Sequence, residues 1–226
     1  MVSQLSNRVR EMSESATIKM AQMARDLKNQ GKDVISLSLG EPDFDTPIHI
    51  KEAAKSALDE GYTKYTPVPG LMELRQAIVK KFKNENGLEF STSQIVVSNG
   101  AKQCIYNLCM SLLDPGDEVI IFTPYWVSYA DIVRLAGGVP VFVNSSIDND
   151  FKVTPEQVQD AITDKTKAIL FSSPCNPTGS VYSADELEGL AEVIGSRKEI
   201  VIFSDEIYEH INFGEKHTSI GSFDQV

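Results

Sequence analysis

Residues 167–179 read Lys-Ala-Ile-Leu-Phe-Ser-Ser-Pro-Cys-Asn-Pro-Thr-Gly, a short apolar run that stops abruptly in turn-forming residues. The run Lys167–Phe171 does not alternate apolar with polar, as a strand with one wet face would; it has the pattern of a strand buried on both faces. Four other runs share that character: Ile95–Ser98, Glu118–Phe122, Val139–Val143 and Ile200–Phe203. Helices are punctuated between them. Ile105, Leu108, Cys109 and Leu112 share one helical face, Thr154-Pro155 opens a second helix, and Ser183-Ala184-Asp185-Glu186 is a capping box for a third that ends near Gly195. Strands alternating with helices in this way predict an α/β fold with a mainly parallel sheet and helices on both faces.

The region before residue 95 reads differently. Met20, Met23, Ala24 and Leu27 recur at helical spacing and stop before Gly31, so a core-packed amphipathic helix is expected there. Val34–Leu39 is a short β-type run broken by Gly40-Glu41-Pro42-Asp43. Thr46 is expected to cap a helix with Pro47 in its first position and Gly61 past its end. Tyr62–Gly70 is read as a loop, and Leu71, Leu74, Ile78 and Phe82 form the stripe of a further helix closed by Gly87.

Composition narrows the function classes. A chain of 226 residues with 42% hydrophobic and 23% charged residues is ordinary for a globular protein. With 21 Lys+Arg against 32 Asp+Glu the net charge is −11, and no basic run offsets it, which disfavours nucleic-acid and anionic-membrane partners. The N-terminus lacks a signal-peptide pattern and no apolar run reaches membrane-spanning length, so a cytoplasmic address is expected. Cys104, Cys109 and Cys175 have neither disulfide nor zinc spacing, and His49, His210 and His217 form no metal or triad motif; no metal is expected.

In an open α/β sheet the ligand lies outside the carboxyl ends of the strands, so the residues that follow each run decide the chemistry. Asn99-Gly100-Ala101-Lys102-Gln103 enters a helix through small residues whose free N–H groups suit an anion such as phosphate. Thr123-Pro124-Tyr125-Trp126 brings the chain's single Trp to the same rim; Asn176 and Pro177 follow the third run, and Ser204-Asp205-Glu206-Ile207-Tyr208 follows the last. Together they offer an anion cradle, an aromatic platform, an amide, a carboxylate and a phenol, a set suited to a phosphorylated, planar, nitrogen-bearing cofactor. Each residue alone has a plainer reading: Asp205 as an acidic cap, Tyr208 as rim packing, Asn176 as a turn residue, Trp126 as core, Lys102 as a solvated surface lysine. A dinucleotide site is disfavoured because no G-x-G-x-x-G follows a strand.

These four segments, with Leu39-Gly40-Glu41-Pro42-Asp43-Phe44 and Tyr65-Thr66-Pro67, resemble the class I aminotransferases of pyridoxal-phosphate fold type I along essentially the whole chain. Ser15-Ala16-Thr17, Gly100-Ala101-Lys102-Gln103 and Pro124-Tyr125-Trp126-Val127-Ser128-Tyr129 are most similar to the bacterial aspartate aminotransferase branch. The resemblance implies a large cofactor-binding domain over 46–226, incomplete, preceded by an arm and the first part of a small domain over 1–45. It also implies pyridoxal 5'-phosphate as cofactor, amino-acid and 2-oxo-acid substrates (aspartate and 2-oxoglutarate foremost) and a homodimer.

By resemblance Asp205 meets the pyridine nitrogen, Tyr208 and Asn176 the ring oxygen, Trp126 the ring face, and Gly100, Ala101 and Lys102 the phosphate. Tyr65 would reach the phosphate of a second chain. Gly40, Asn176 and Trp126 would contact the substrate, and Thr17 with Lys102 its distal carboxylate. Relatives often hold the peptides matching Thr123-Pro124 and Asn176-Pro177 in cis. The family's attachment lysine is expected beyond Val226, since Lys216 does not match its motif, so this chain alone is expected to be inactive. An aromatic, alanine or prephenate preference stays open, as does a noncatalytic cofactor-binding module.

Overall fold

The computed structural model describes residues 4–12, 15–38, 40–214 and 216–226. A four-stranded, wholly parallel sheet forms from β1 (Glu118–Thr123), β2 (Val139–Asn144), β3 (Thr166–Ser172) and β4 (Val201–Asp205), in the spatial order β2-β1-β3-β4. Side chains along the central strands β1 and β3 alternate between two cores, whereas edge strand β2 leaves Val139 and Phe142 exposed and so departs from the expected burial on both faces. Ile120, Phe122, Ile169 and Phe171 pack on one face against Val158, Leu187, Leu190 and Ile194. Val119, Ile121, Ala168, Leu170 and Phe203 pack on the other against Ile105, Cys109, Tyr129 and Val133. Successive residues of a strand point to opposite faces, so an unbroken apolar run serves both cores at once.

The helices supplying those residues are α5 (Ala101–Leu112) and α6 (Ser128–Leu135) on one face, α7 (Pro155–Ala161) and α8 (Ala184–Gly195) on the other. Their placement follows from handedness. The chain passes from β1 to β2 in one direction across the sheet, then from β2 over to β3 and on to β4 in the opposite direction. Right-handed crossovers therefore put α6 on one face and both α7 and α8 on the other. The predicted parallel sheet with helices on both faces is what forms.

Local signals explain the starts and stops. Thr154 and Ser183 each accept a backbone N–H and receive a reciprocal bond from Gln157 and Glu186, two complete capping boxes. At Gly138 a Cβ would lie 2.9 Å from Leu113 and 3.1 Å from Val133, so a larger residue where the chain turns from α6 into β2 would have to displace both side chains. The eight-residue α6 is an addition to the sequence reading; it fits between Trp126 and the pair Gly137-Gly138, too short for periodicity to announce it.

Four expectations need correction. Ile95–Ser98 is not a strand: the Val97 N–H donates to the Pro69 carbonyl at 3.0 Å, and no strand among the described residues pairs with it. Its apolar pattern is not matched by a ladder partner, and an extended segment without one is not a strand. Val34–Ser38 likewise has no ladder, Ile35 and Leu37 being exposed, and Leu39 lies outside the described residues.

The N-terminal helices form as α1 (Asn7–Arg10), α2 (Ala16–Asn29), α3 (Ile48–Asp59) and α4 (Met72–Lys81). However, α2 packs no core: Met20 and Met23 are about half exposed, and it buries no residue. Among the described residues nothing covers its periodic face. For α3 the N-cap position falls on Pro47 rather than Thr46 and has no side-chain bond.

The outer edge of β4 borders an apolar groove of about 990 Å³, lined also by Phe82, Phe90, Ala101, Ile105 and Leu108. On the opposite face Glu186 ties α8 to the loop before α7, its carboxylate meeting the Lys152 ammonium at 3.0 Å. Partial burial works against the charged carboxyl, but hydrogen bonds from the Ser183 backbone, from Lys152 and from the Ser183 hydroxyl outweigh it and hold the group below its usual 4.5. A carboxyl depressed on folding stabilises the protein above its unfolded value, and that support is lost as pH falls through the folded one. Glu186→Gln should thus melt below the wild type at neutral pH, with the gap closing as the solution is acidified below pH 4.5; thermal melts across that range check it.

Candidate active site

All four strands end on one rim, and the winding direction reverses between β1 and β3, which opens a crevice there. Thr123-Pro124 leaves β1 through a cis peptide, and Asn176-Pro177 is cis in the loop after β3, isomers on which the sequence was silent; Ser173-Pro174 is a third cis peptide. A cleft of about 1090 Å³ at this rim is lined by Thr17, Gly40, Trp126, Asn176 and Tyr208, with Lys216 among the residues at its wall.

The floor of the cleft is aromatic and rigid. Tyr125 stacks on Phe142 of β2 with centroids 5.4 Å apart and on Tyr129 at 6.4 Å, while Trp126 meets Tyr129 edge-on at 5.6 Å. The Lys102 ammonium lies 4.8 Å from the Trp126 ring centroid, a cation–π contact worth about 0.5–1 kcal/mol at an exposed site. Lys102 enters α5 just after Gly100, whose φ of 85° is the left-handed conformation that glycine adopts without strain. The backbone N–H groups of Ala101 and Lys102 have no acceptor among the described residues, as the first turn of a helix requires.

Asp205 sits at the carboxyl end of β4, half-buried. One carboxylate oxygen accepts the Tyr129 hydroxyl at 2.6 Å and the other accepts the Ile207 N–H at 3.3 Å. The following turn is fixed by Glu206, which accepts the Ser204 and Ser219 hydroxyls, each at 2.8 Å, and meets His217 Nε2 at 3.0 Å. Further on, Glu209 pairs with Lys81 at the end of α4 and accepts the Asn86 amide at 2.9 Å. Those anchors hold Tyr208 between them. The Asn176 amide donates to the Tyr208 hydroxyl at 3.1 Å, which leaves the phenolic proton free to donate onward.

Thr17, Gly40, Trp126, Asn176 and Tyr208 are thus brought to one cleft, with Lys102 joined to it through Trp126. Asp205 and Ala101 border the adjoining groove along β4, and Gly100 immediately precedes Ala101 at the start of α5. Tyr65 is apart from all of them, fully exposed. Sequence reasoning passed over Tyr129 and Glu206 as site residues. Tyr129 closes the Pro124–Tyr129 stretch that carries the family resemblance, which marks it as part of the motif but assigns it no contact. Among the described residues no group of three or more His, Cys, Asp or Glu could hold a metal ion, and no helix is long and apolar enough to cross a membrane.

A parallel α/β domain with a carboxylate, an amide–phenol pair, an aromatic floor and a helix start with free donors around one rim defines a class of protein that handles a charged, flat small molecule. The sequence pattern described as aminotransferase class I and II matches residues 32–224, and the chain belongs to that family. It is 51% identical over 217 residues to an aspartate aminotransferase of Geobacillus stearothermophilus, covering 96% of this chain and 55% of that protein. An aspartate/prephenate aminotransferase of Nitrosomonas europaea is 51% identical over 207 residues, covering 92% and 52%. Among solved structures, the aspartate aminotransferase of Thermus thermophilus with maleate superposes with a TM-score of 0.92 at 48% identity, over 96% of this chain and 56% of that one. The chain spans about half the length of the curated relatives it matches.

The three cysteines are free thiols in unlike settings. Burial pushes the Cys109 thiol up to about 11, whereas Cys104 and Cys175 are only half-buried. Thiolate is the reactive form. Iodoacetamide applied to the folded protein should therefore label Cys104 and Cys175 and leave Cys109 unmodified until denaturant is added, as read by peptide mass spectrometry.

Proposed function

We propose that this chain forms the cofactor-binding part of a pyridoxal-phosphate-dependent aminotransferase that moves an amino group between aspartate and 2-oxoglutarate. The observation that carries the reading is the carboxylate of Asp205, oriented at a strand end beside an aromatic floor and an amide–phenol pair. The residues present fit the group: the free N–H groups of Ala101 and Lys102 suit its phosphate, Trp126 its flat face, and the Asn176–Tyr208 pair its ring oxygen. When bound, pyridoxal phosphate supplies an electron-withdrawing ring that makes the substrate α-proton removable.

This chain's own residues set the conditions for that chemistry. Asp205 presents negative charge to the ring nitrogen and keeps its proton in place. Tyr208, its oxygen already accepting from Asn176, directs its proton toward a ligand oxygen. Asn176 and Gly40 orient the substrate α-carboxylate, glycine at position 40 presenting its backbone without a side chain. Lys102 and Thr17 recognise a distal carboxylate, which favours a dicarboxylic donor over aromatic, alanine or prephenate substrates.

In this reading residues 1–45 form an arm and the first part of a small domain, residues 46–226 belong to the large domain, and the enzyme is cytoplasmic. It works as a homodimer in which Tyr65 serves the neighbouring site; the full exposure of Tyr65 supports that role. The attachment lysine belongs to the part of the enzyme that this chain, about half the length of its relatives, does not span. A noncatalytic cofactor-binding module is the reading that remains should the whole protein lack one.

In the complete enzyme Asp205→Asn should fold with an unchanged circular dichroism spectrum and lose on the order of 10²–10³ in kcat, because a neutral amide does not hold the ring proton. Turnover near the wild-type value would remove Asp205 from this role. Lys102→Ala should lower kcat/KM for aspartate on the order of ten-fold more than for phenylalanine, one charge-assisted contact's worth of discrimination. Equal losses for both donors would withdraw the dicarboxylate preference.

A further inference from the structure

We propose that Tyr129 is a positioning residue whose hydroxyl aims the Asp205 carboxylate at the ring nitrogen of the bound cofactor. The inference rests on the reading of Asp205 given above and adds the residue through which that carboxylate acts. An Asp side chain has no strong preference about its terminal torsion, so a carboxylate left to itself presents its oxygens over a broad range of angles. Two contacts define the plane of Asp205, and they are unequal. The Ile207 N–H reaches it at 3.3 Å from a neighbouring turn, while the Tyr129 hydroxyl reaches it at 2.6 Å from the other side of the crevice. The latter lies in the range of charge-assisted O–H···O⁻ bonds.

The direction of that bond is fixed. Tyr129 is 1% exposed, and burial first, then the Asp205 charge and the hydrogen bond to it, raise the phenol well above its ordinary range. It therefore stays a phenol and donates. Besides Asp205, the groups facing the hydroxyl are Ser172 at the end of β3 and the Cys175 thiol in the loop after it. The ring is immobilised in turn: it stacks on Tyr125, meets the edge of Trp126 and packs in the core with Val119 and Ile121. A donor set in a packed core transmits that rigidity to the group it holds, which a site residue on a loop cannot do for itself.

The test uses the complete holoprotein and pyridoxal phosphate labelled with ¹⁵N at the ring nitrogen, read by NMR at one fixed pH, with Asp205→Asn as reference. Wild type should show the protonated nitrogen and Asp205→Asn the deprotonated one. Tyr129→Phe, folded and cooperative in melting, should move the resonance toward the deprotonated position and weaken cofactor binding about ten-fold, the loss of one charge-assisted bond. A wild-type resonance and affinity in Tyr129→Phe, with Asp205→Asn shifted, would overturn the positioning role and leave the function standing. A wild-type resonance in Asp205→Asn would sink the reading of Asp205 and the inference with it. Should Tyr129→Phe fail to fold, the hydroxyl proton of Tyr129 in the wild type decides: it should lie at low field and move when pyridoxal phosphate is added, and a signal indifferent to the cofactor overturns the proposal.

Discussion

The reversal of winding between β1 and β3 is the constraint from which the site follows. Four parallel strands must end on the same rim, and the change of direction leaves no connection crossing between the ends of the central pair. Into that gap the chain delivers Trp126 after β1 and Asn176 after β3, and β4 adds Asp205 alongside. None of these side chains needs to be near another in sequence. Their meeting is a consequence of right-handed crossovers and of apolar runs long enough to fill both cores.

Electrostatics then determines how the rim is used. A chain of net charge −11 offers no general attraction to an anion, so an anion held at this rim would depend on local donors such as the free N–H groups at the start of α5. The half-buried Asp205 carboxylate is compensated by two hydrogen-bond donors, the Tyr129 hydroxyl and the Ile207 N–H. Glu206 is saturated by two hydroxyls and an imidazole, and its work is to fix the turn between Asp205 and Tyr208.

Much of this was legible in the sequence because the deciding signals are local. Each paired strand is a contiguous apolar run, and the capping boxes at Thr154 and Ser183 satisfy their own helix ends within four residues. Trp126, Asn176 and Asp205 were placed at the rim because they lie at or shortly after the ends of paired strands, whereas Thr17 and Gly40 rested on the family resemblance alone. Ile95–Ser98 misled because strand pattern is necessary for a ladder but a partner is also required, and Val97 finds only Pro69. The periodic face of α2 misled in the same way: amphipathicity records what a helix could bury, and among the described residues nothing covers Met20 and Met23. Tyr129 escaped notice because its partner is 76 residues distant, and no local pattern encodes a contact across a sheet.

The short helix α6 has a mechanical consequence. Its entry carries Tyr125 and Trp126 and its first turn carries Tyr129, and this one stack leans on Phe142 beneath it. The ring platform and the tether of the carboxylate are therefore parts of a single lever whose fulcrum is the second strand. A change of side-chain size at Phe142 would shift the stacked rings and the contact to Asp205 together, so the two cannot be tuned independently.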